Sequence, residues 1–391
     1  MSGLDGARHK GSWAGSSNAP VTLITGGAGF VGANLAHRLL SEGRPVLIFD
    51  NLSRAGVEKN LQWLRDVHGD AVQIAVEDIR DRAAVGRAVA GARQVFHFAA
   101  QVAVTTSIDD PVDDFSINAQ GTLNVLEAIR AQPSPPPLVL TSTNKVYGGL
   151  EDVALMRHGQ HYAPIAPELR GRGISEAQSL DFHSPYGCSK GTADQYVRDY
   201  ARSYGLATVV FRMSCIYGPH QFGTEDQGWV AHFLVRALSG EPITIYGDGM
   251  QVRDILFVED LVEAFLLAER NIASLAGQAF NVGGGPSNAI SLLDLLDCIE
   301  ALHGERPHVD FQRWRTGDQR YYVSDTRKFQ QATGWSPAVG AKHGIERLYH
   351  WLKEARGATS KRARAAAERI RKPALLHEDA ANLATRAQGA R

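Results

Sequence analysis

Two side chains in the run S-P-Y-G-C-S-K, Tyr186 and Lys190, have the types and spacing to do proton chemistry. If this run is helical, the pair shares one face, because residues four apart are neighbours on a helix surface. A phenol with an ordinary pKa of about 10 is a poor base at neutral pH, but a nearby positive charge favours tyrosinate. The pair therefore predicts a proton acceptor for a substrate hydroxyl.

A hydroxyl that suits the same reaction, Thr143, lies near the end of the apolar run in L-V-L-T-S-T-N-K-V-Y-G. If the run is a parallel strand, its carboxyl end lies where doubly wound sheets bind ligands. Thr143 then hydrogen-bonds the reacting oxygen. The alternative is a strand residue that bonds neighbouring backbone, and spacing alone does not decide between the two.

Residues 21–32, V-T-L-I-T-G-G-A-G-F-V-G, place closely spaced glycines between a short apolar strand and an amphipathic stretch. Gly27, Gly29 and Gly32 fit the G-x-G-x-x-G spacing. Gly26, taken with the last two, fits a looser G-x-x-G-x-x-G form. Such glycines allow a tight turn, close approach to a pyrophosphate and close helix packing, with the anion at the positive end of the helix dipole. The segment predicts a dinucleotide-binding loop.

Asp50 follows the next apolar strand, about 20 positions further on, where a carboxylate binds the adenosine ribose of a dinucleotide. A carboxylate at this place repels a 2′-phosphate, so NAD is favoured over NADP. Arg54 lies nearby in the sequence. It either accepts such a phosphate or is a solvated loop charge.

Strand-like and helix-like segments alternate between residues 21 and 142, which predicts a Rossmann-type, doubly wound parallel α/β sheet. Between residues 148 and 184 there is no clear period, and this segment is predicted to be a long loop over the active face. The predicted strands are 21–25, 45–49, 72–76, 94–98, 138–142 and 207–211, and the clearest helices are 81–90, 113–131 and 185–204.

The same pattern divides the chain into a dinucleotide-binding domain and a smaller C-terminal α/β lobe that holds the substrate. A disordered leader precedes them and a basic, helix-prone tail follows. The assigned ranges are 1–20 for the leader, 21–216 for the first domain with 250–283 returning to it, 217–249 and 284–355 for the lobe, and 356–391 for the tail.

The composition argues against several classes of function. The chain has 391 residues, is 44% hydrophobic and 21% charged, and has a formal net charge of −1, so we expect no nucleic-acid partner and no membrane-surface partner. No apolar run approaches the roughly 18 residues of a membrane span. The three cysteines are widely spaced and the histidines lack metal-ligand spacing, so we expect a cytoplasmic protein without a metal.

Several motifs taken together resemble the extended short-chain dehydrogenase/reductases of the NAD-dependent epimerase/dehydratase family, which act on nucleotide sugars. The motifs are G-G-A-G-F-V-G, F-H-F-A-A at 96–100, S-T-N-K-V-Y-G, S-P-Y-G-C-S-K and Y-G-D-G-M-Q-V-R-D, within a resemblance over about residues 20–355. The resemblance implies the catalytic triad Thr143, Tyr186 and Lys190. It also implies that NAD is bound by Gly26, Gly27, Gly29, Phe30, Val31, Gly32, Asp50, Asn51, Asp78, Ile79, Ala99, Ala100, Gln101, Asn118, Tyr186 and Lys190.

Asp78 and Ile79, in E-D-I-R, are placed at the adenine edge by this resemblance. The alternative for Asp78 is an N-cap of the helix predicted at 81–90, because Asp is a preferred capping residue.

The strand-five motif separates members of the family. In the sugar 4,6-dehydratases an Asp-Glu pair follows the threonine and supplies acid and base for water elimination, whereas here those positions hold Asn144 and Lys145. Epimerisation needs no such pair. This motif and the loop 212–230 look most similar to the subgroup that inverts carbon 2 of CDP-3,6-dideoxyhexoses, CDP-paratose to CDP-tyvelose, through a keto sugar and tightly bound NAD. The segment 148–184 also fits this subgroup better than the 4-epimerases.

Three alternatives stay open from the sequence. One is a UDP-hexose 4-epimerase or another nucleotide-sugar epimerase or dehydrogenase of the same family. A second is a net oxidoreductase that releases NADH. The third is a non-enzymatic binding protein, which the intact Thr143, Tyr186 and Lys190 argue against.

Substrate contacts implied by the resemblance combine polar loop residues with arginines, whose guanidinium forks suit phosphate oxygens. They are Thr143, Asn144, Gln221, Asp226, Gln227, Tyr246, Arg253 and Arg320. For each arginine the alternative is a structural ion pair, and for Tyr246 it is packing rather than stacking on the base. In relatives the helices corresponding to 113–131 and 185–204 pair across a two-fold axis, so we expect a homodimer or homotetramer.

Overall fold

The computed structural model describes residues 20–315 and 317–357. The described strands are β1 (Val21–Thr25), β2 (Val46–Phe49), β3 (Val72–Ala75), β4 (Ala92–His97), β5 (Leu138–Thr143), β6 (Leu155–His158), β7 (His161–Pro164), β8 (Thr208–Met213), β9 (Cys215–Tyr217), β10 (Ile243–Tyr246), β11 (Val252–Phe257), β12 (Gln278–Val282), β13 (Ala289–Ser291), β14 (Val309–Gln312) and β15 (Tyr321–Tyr322).

The helices lie between these strands and after them. They are α1 (Phe30–Ser41), α2 (Val57–His68), α3 (Arg82–Ala90), α4 (Val104–Asp109), α5 (Pro111–Phe115), α6 (Gly121–Arg130), α7 (Pro167–Arg172), α8 (Ser184–Tyr204), α9 (Trp229–Ser239), α10 (Val258–Arg270), α11 (Ile272–Leu275), α12 (Leu292–His303), α13 (Arg327–Thr333) and α14 (341–357).

The central sheet has seven parallel strands in the order β12-β8-β5-β4-β1-β2-β3. The chain fills one side of β1 with β2 and β3 and then crosses to β4 on the other side. This reversal leaves a crevice at the carboxyl ends of β1 and β4, where doubly wound sheets bind ligands. The predicted doubly wound sheet is confirmed, and its predicted strands end within two residues of the observed ones.

Helices cover both faces of this sheet, which explains why its strands β1, β2 and β5 are buried at every position. Successive side chains of a strand point to opposite faces. Accordingly Ile24 and Ile48 join an apolar cluster with α1 and α10, whereas Leu23 and Leu47 join a second cluster with α3 and α6. The sheet is therefore a rigid support for the loops at its carboxyl edge.

A smaller sheet is built around β11, which pairs with β9, β13 and β15, and a separate pair is formed by β10 and β14. A third apolar cluster packs α9, α12 and α14 against these strands. Within the range 250–283, β11 lies in this smaller sheet, whereas β12 pairs with β8 of the large one. The division into two domains stays a prediction.

One prediction about local structure is wrong, and another is confirmed with an irregularity. The segment 148–184 is not one long loop, because β6 and β7 form an antiparallel hairpin there and α7 follows them. The hairpin turns at Gly159, which has a φ of 59°, and Tyr162 N donates to the carbonyl oxygen of Met250 at 3.0 Å. The helix predicted at 113–131 is observed over 111–130, and a π-helical turn, Ser116–Gln120, lies within it between α5 and α6.

Two other predicted segments lie largely beyond what is described. Residues 1–19 of the leader and 358–391 of the tail are outside the described residues. Within residues 20–315 and 317–357, none of the helices has the length and apolar character needed to cross a bilayer.

Candidate active site

The glycine loop between β1 and α1 packs closely against the end of β4 because it lacks side chains. A Cβ at Gly26, whose φ is 68°, would lie 2.7 Å from Ala99 N. Helix α1 begins at Phe30, with no side-chain cap and no acidic residue in its first turn. Its first N–H groups thus remain open to an anion, which fits a dinucleotide pyrophosphate. Gly27 serves the packing instead, because a Cβ there would lie 2.8 Å from Ile24 O.

Gly32 gives a direct test of this loop. A Cβ at Gly32 would lie 2.5 Å from Gly26 O and 2.6 Å from Gly27 Cα, and backbone atoms cannot move aside as a flexible side chain does. We expect Gly32→Ala to weaken NAD binding by about ten- to a hundredfold, the effect of typical overpacking strain. Titration calorimetry measures it. Gly86→Ala in α3, where an added Cβ meets nothing within 4 Å, is the control, and equal losses in both variants would contradict the prediction.

Asp50 joins the end of β2 to the glycine loop. Its carboxylate accepts hydrogen bonds from Ala28 N at 3.0 Å and Leu52 N at 2.9 Å. Burial raises the pKa of Asp50, and these two bonds oppose the rise. A carboxylate has further lone pairs, so the predicted contact with ribose hydroxyls is compatible with these bonds. Arg54 is exposed on the rim of the same cavity and makes no side-chain hydrogen bond or ion pair with the described residues.

The carboxylate of Asp78 already binds two neighbouring side chains. It forms an ion pair with Arg80 at 2.7 Å and accepts a hydrogen bond from Asn51 at 3.0 Å, and the bond from Arg80 lowers the pKa of Asp78. The alternative reading of Asp78 as a helix cap is wrong, because Asp81 caps α3 by accepting from Ala83 N and Ala84 N.

Most of the predicted NAD-binding residues line one cleft. They are Gly26, Gly29, Phe30, Val31, Gly32, Asp50, Asn51, Asp78, Ile79, Ala99, Ala100, Tyr186 and Lys190. Gln101 and Asn118 lie behind its wall. Asn118 is 1% exposed and accepts from Gln101 N at 2.9 Å, while its Nδ2 group donates to Ser189 Oγ at 3.0 Å. These bonds support the wall rather than face the cleft.

The three predicted catalytic side chains converge at the carboxyl edge of the sheet. Thr143 is buried at the end of β5, and Tyr186 and Lys190 lie near the start of α8. The Tyr186 phenol lies close enough to the Thr143 hydroxyl for that hydroxyl to lower its pKa. The Lys190 ammonium donates to Thr141 O at 2.7 Å. Burial lowers the pKa of Lys190 to about 8, and the charges of Asp194 and Asp114 oppose this.

In the protein without a bound cofactor, the Tyr186 phenol is held in its neutral, protonated form. Burial raises its pKa to about 12; the hydrogen bond from Thr143 lowers it and the charge of Asp114 raises it. Burial sets the direction of this shift, and the neighbouring ammonium of Lys190, which donates to Thr141 O, gives it no resolved opposition. Ionisation near neutral pH requires a further positive charge, and an oxidised nicotinamide in the cleft carries one.

This requirement predicts a pH effect. We expect Tyr186 to stay protonated through the neutral range in NAD-free protein and to ionise at lower pH once NAD is bound, because a positive charge stabilises the phenolate. The measurement is the tyrosinate absorbance of the wild type minus that of Tyr186→Phe, titrated with and without NAD. The same midpoint in both titrations would refute the expectation.

A second cavity of about 720 Å³ adjoins the first, and Tyr186 lines both. The volume lies within the roughly 300–1,000 Å³ of small-molecule sites. Arg320 does not line it and is exposed, with its guanidinium 5.5 Å from the centre of the Trp314 ring. The predicted substrate residues that do line it are Thr143, Asn144, Gln221, Asp226, Gln227, Tyr246 and Arg253.

Arg253 and Tyr246 are among the lining residues that are already engaged with protein groups. Arg253 is buried and donates to Asp318 at 2.8 Å and to Gln319 O at 2.6 Å, the contacts expected of a structural ion pair. The ring of Tyr246 is covered by Arg315, whose guanidinium carbon lies 3.8 Å from the ring centre. A nucleotide base that stacks on the Tyr246 ring would therefore contact Arg315.

The sequence interpretation passed over Asp114 and the position of Lys145. Asp114 is buried behind the triad, and its spacing of four from Asn118 and again to Thr122 places three polar side chains along one face of the predicted helix. That stripe was a usable signal. Lys145 lines the second cavity and donates to Gly317 O at 3.2 Å. Burial, followed by the charge of Arg253, lowers its pKa to about 8.

The chain is similar to proteins of one known family. Residues 22–283 match the model of the NAD dependent epimerase/dehydratase family. The chain is 45% identical over 342 residues to the CDP-paratose 2-epimerase of Salmonella typhi, a match that covers 84% of this chain and 98% of the relative. It is 33% identical over 352 residues to a dTDP-glucose 4,6-dehydratase of Xanthomonas campestris, covering 84% and 92%.

Solved structures agree with this placement. The UDP-glucose 4-epimerase of Thermus thermophilus, in complex with NAD, has a TM-score of 0.71 and 33% identity, covering 85% of this chain and 98% of that one. The dTDP-glucose 4,6-dehydratase DesIV of Streptomyces venezuelae, a double mutant with NAD bound, has a TM-score of 0.73 and 28% identity, covering 86% and 98%.

Proposed function

Because this chain belongs to the NAD-dependent epimerase/dehydratase family, we propose that it is an epimerase that inverts carbon 2 of a CDP-3,6-dideoxyhexose, CDP-paratose to CDP-tyvelose. The observation that carries the proposal is the position of Tyr186, which lies where the dinucleotide cleft meets the larger cavity, with Thr143 and Lys190 beside it. The choice of a CDP sugar is supported by the 45% identity to a CDP-paratose 2-epimerase.

The residues of the chain account for the proton movements. When bound, NAD supplies an oxidised nicotinamide that accepts a hydride from the sugar carbon and returns it. Tyr186, as phenolate, accepts the proton of the sugar hydroxyl while the carbonyl forms, and returns it when the carbonyl is reduced. Lys190 stabilises the phenolate by its charge, and Thr143 hydrogen-bonds the reacting oxygen. The wide second cavity leaves the keto sugar room to present its other face.

Water elimination is disfavoured at this site. The two positions after Thr143 carry Asn144 and Lys145, and neither is a carboxyl group that can protonate a leaving hydroxyl. The Lys145 ammonium is bonded to Gly317 O at 3.2 Å. The likeness to 4,6-dehydratases in the rest of the chain therefore does not extend to their reaction.

The experiment that tests the function offers the purified protein CDP-paratose, CDP-tyvelose, UDP-glucose and UDP-galactose in separate reactions and identifies products by NMR. We expect interconversion of the two CDP sugars without accumulation of reduced-nicotinamide absorbance. Conversion of the UDP sugars alone would favour a UDP-hexose 4-epimerase, a reaction that the likeness to the Thermus enzyme also supports. Absorbance that grows through steady turnover would favour a net oxidoreductase.

We also propose a homodimer, or a homotetramer built from it, through α4, α5 and α8. Ile108, Val112, Phe115 and Tyr204 on these helices are 51%, 78%, 55% and 52% exposed. Apolar side chains this exposed on packed helices suit a partner surface. We expect a variant with Val112→Glu and Phe115→Glu to sediment as a monomer, while Val67→Glu on α2 leaves the assembly intact. A monomeric wild type would contradict the proposal.

The proposed location is the cytoplasm. All three cysteines, which lie within the described residues, are unpaired. Unpaired cysteines fit a reducing compartment.

A further inference from the structure

The side-chain amides of Asn144 and Gln319 are buried near Thr143. The donor and the acceptor of each of their hydrogen bonds can be assigned in one consistent way. Gln319 is fully buried, and its Nε2 group donates to Gly148 O at 2.6 Å. A backbone carbonyl can only accept, so this bond fixes which end of the Gln319 amide faces Asn144. Gln319 Oε1 therefore needs a donor, and Asn144 Nδ2 supplies it at 3.1 Å.

The orientation of Asn144 follows from that bond. With its Nδ2 group committed to Gln319, Asn144 presents Oδ1 to Thr143, whose hydroxyl donates to it at 3.3 Å. The backbone N–H of Lys145 also donates to the Thr143 hydroxyl oxygen, at 3.2 Å. A hydroxyl has one proton, so while Thr143 donates to Asn144 it can only accept from Tyr186.

Neighbouring contacts hold Gln319 in place. Arg253 donates to its backbone oxygen at 2.6 Å, and Lys145 Nζ donates to Gly317 O at 3.2 Å. The segment that carries Gln319 is thus tied both to β11 and to the turn after β5. The amide therefore meets Asn144 from a fixed direction.

We propose that Asn144 and Gln319 are positioning residues that direct the hydroxyl proton of Thr143 away from Tyr186 while the phenol is neutral. The inference rests on the proposed function, which makes Tyr186 the proton acceptor. When Tyr186 is ionised, Thr143 must turn its proton from Asn144 to the phenolate, so Asn144 competes with the phenolate for that proton. The 4,6-dehydratases have a carboxylate at the position of Asn144. A carboxylate there would place an acceptor oxygen against Gln319 Oε1, which is also an acceptor, so no hydrogen bond could form between them. Gln319 thereby favours asparagine in this chain.

The test follows Tyr186 ionisation in the NAD-bound protein without any sugar, each variant being measured against the same variant with Tyr186→Phe. Asn144→Ala removes the competing acceptor, so we expect the ratio of tyrosinate to tyrosine at a given pH to rise about tenfold, as one charge-assisted hydrogen bond allows. Gln319→Met lets Asn144 turn its Nδ2 group toward Thr143 and is expected to raise the ratio as well.

Two further variants separate this role from a structural one. The double variant is expected to have the same ratio of tyrosinate to tyrosine as Asn144→Ala alone, because both changes act through the hydroxyl proton of Thr143. Asn144→Asp is expected to lower the ratio, since a carboxylate accepts the proton more strongly and repels the phenolate. The charged groups around the network, Asp114 on α5, Lys190 on α8 and Lys145 after β5, are retained in all of these variants.

The control is Asn288→Ala. Within the described part of the chain, the buried Asn288 amide bonds backbone groups, Val339 O at 3.3 Å and Ala341 N at 2.7 Å, so its loss should leave the ratio unchanged. Unchanged ratios in Asn144→Ala and Gln319→Met, additive effects in the double variant, or a higher ratio in Asn144→Asp would overturn the proposal. Because no sugar is present, a failure to convert CDP sugars would refute the proposed function without touching this result.

Discussion

Tyr186→Phe is expected to slow epimerisation by about 10²- to 10⁴-fold, the usual contribution of a positioned acid or base, while NAD binding is retained. Phenylalanine keeps the ring that lines both cavities and removes the oxygen that accepts the proton. The glycine loop and Asp50, which we propose hold the cofactor, are untouched by the change. NMR of the products and titration calorimetry with NAD measure the two quantities separately.

Tyr196→Phe is the matched control, because Tyr196 lies on the same helix but is 43% exposed and outside both cavities. It should retain wild-type turnover. A Tyr186→Phe protein that binds NAD and still turns over at the wild-type rate would remove Tyr186 from the mechanism. A protein that loses NAD would instead show that the phenol holds the cofactor.

The parts of this site that the sequence predicts are those built from neighbours in the chain. The glycine loop, the end of β2 at Asp50 and the Tyr186–Lys190 pair each follow from a short local pattern: a strand, a turn or one helical repeat. The family resemblance then supplied which residues belong together. The cleft indeed gathers most of the residues named in this way.

Long-range contacts account for most of what the sequence did not predict. Asn144 and Gln319 are 175 positions apart, and Arg253 and Asp318 are 65 apart. No periodicity links such residues, because each pair is brought together only when the smaller sheet forms. The hairpin β6–β7 was missed for a different reason. Its strands have only four residues each, which is too short for a clear period, although Gly159-Gln160 is a two-residue turn of the type that hairpins favour.

Asp194→Asn is expected to reduce the free energy of unfolding by about 3–5 kcal/mol, the usual cost of leaving a buried charge without its partner. The Asp194 carboxylate accepts two hydrogen bonds from Arg212, at 2.8 and 2.9 Å, and the two side chains are 0% and 3% exposed. Asparagine has one acceptor oxygen and no charge, so the buried guanidinium keeps that oxygen and Tyr147 OH, at 3.1 Å, as polar contacts but loses its counter-charge.

Urea denaturation at fixed pH and one NAD concentration measures this effect once the Kd of each variant for NAD is known from titration calorimetry, because stabilisation by NAD depends on both its concentration and its Kd. Asp199→Asn on the same helix is the control. Asp199 is 51% exposed and lies 3.9 Å from Arg202, so its change should stay within about 0.5 kcal/mol. Asp194→Leu combined with Arg212→Met removes both charges and should be less destabilised than Asp194→Asn, because no charge is left unpaired. Equal losses in these two variants would show that packing, rather than the unpaired guanidinium, sets the cost.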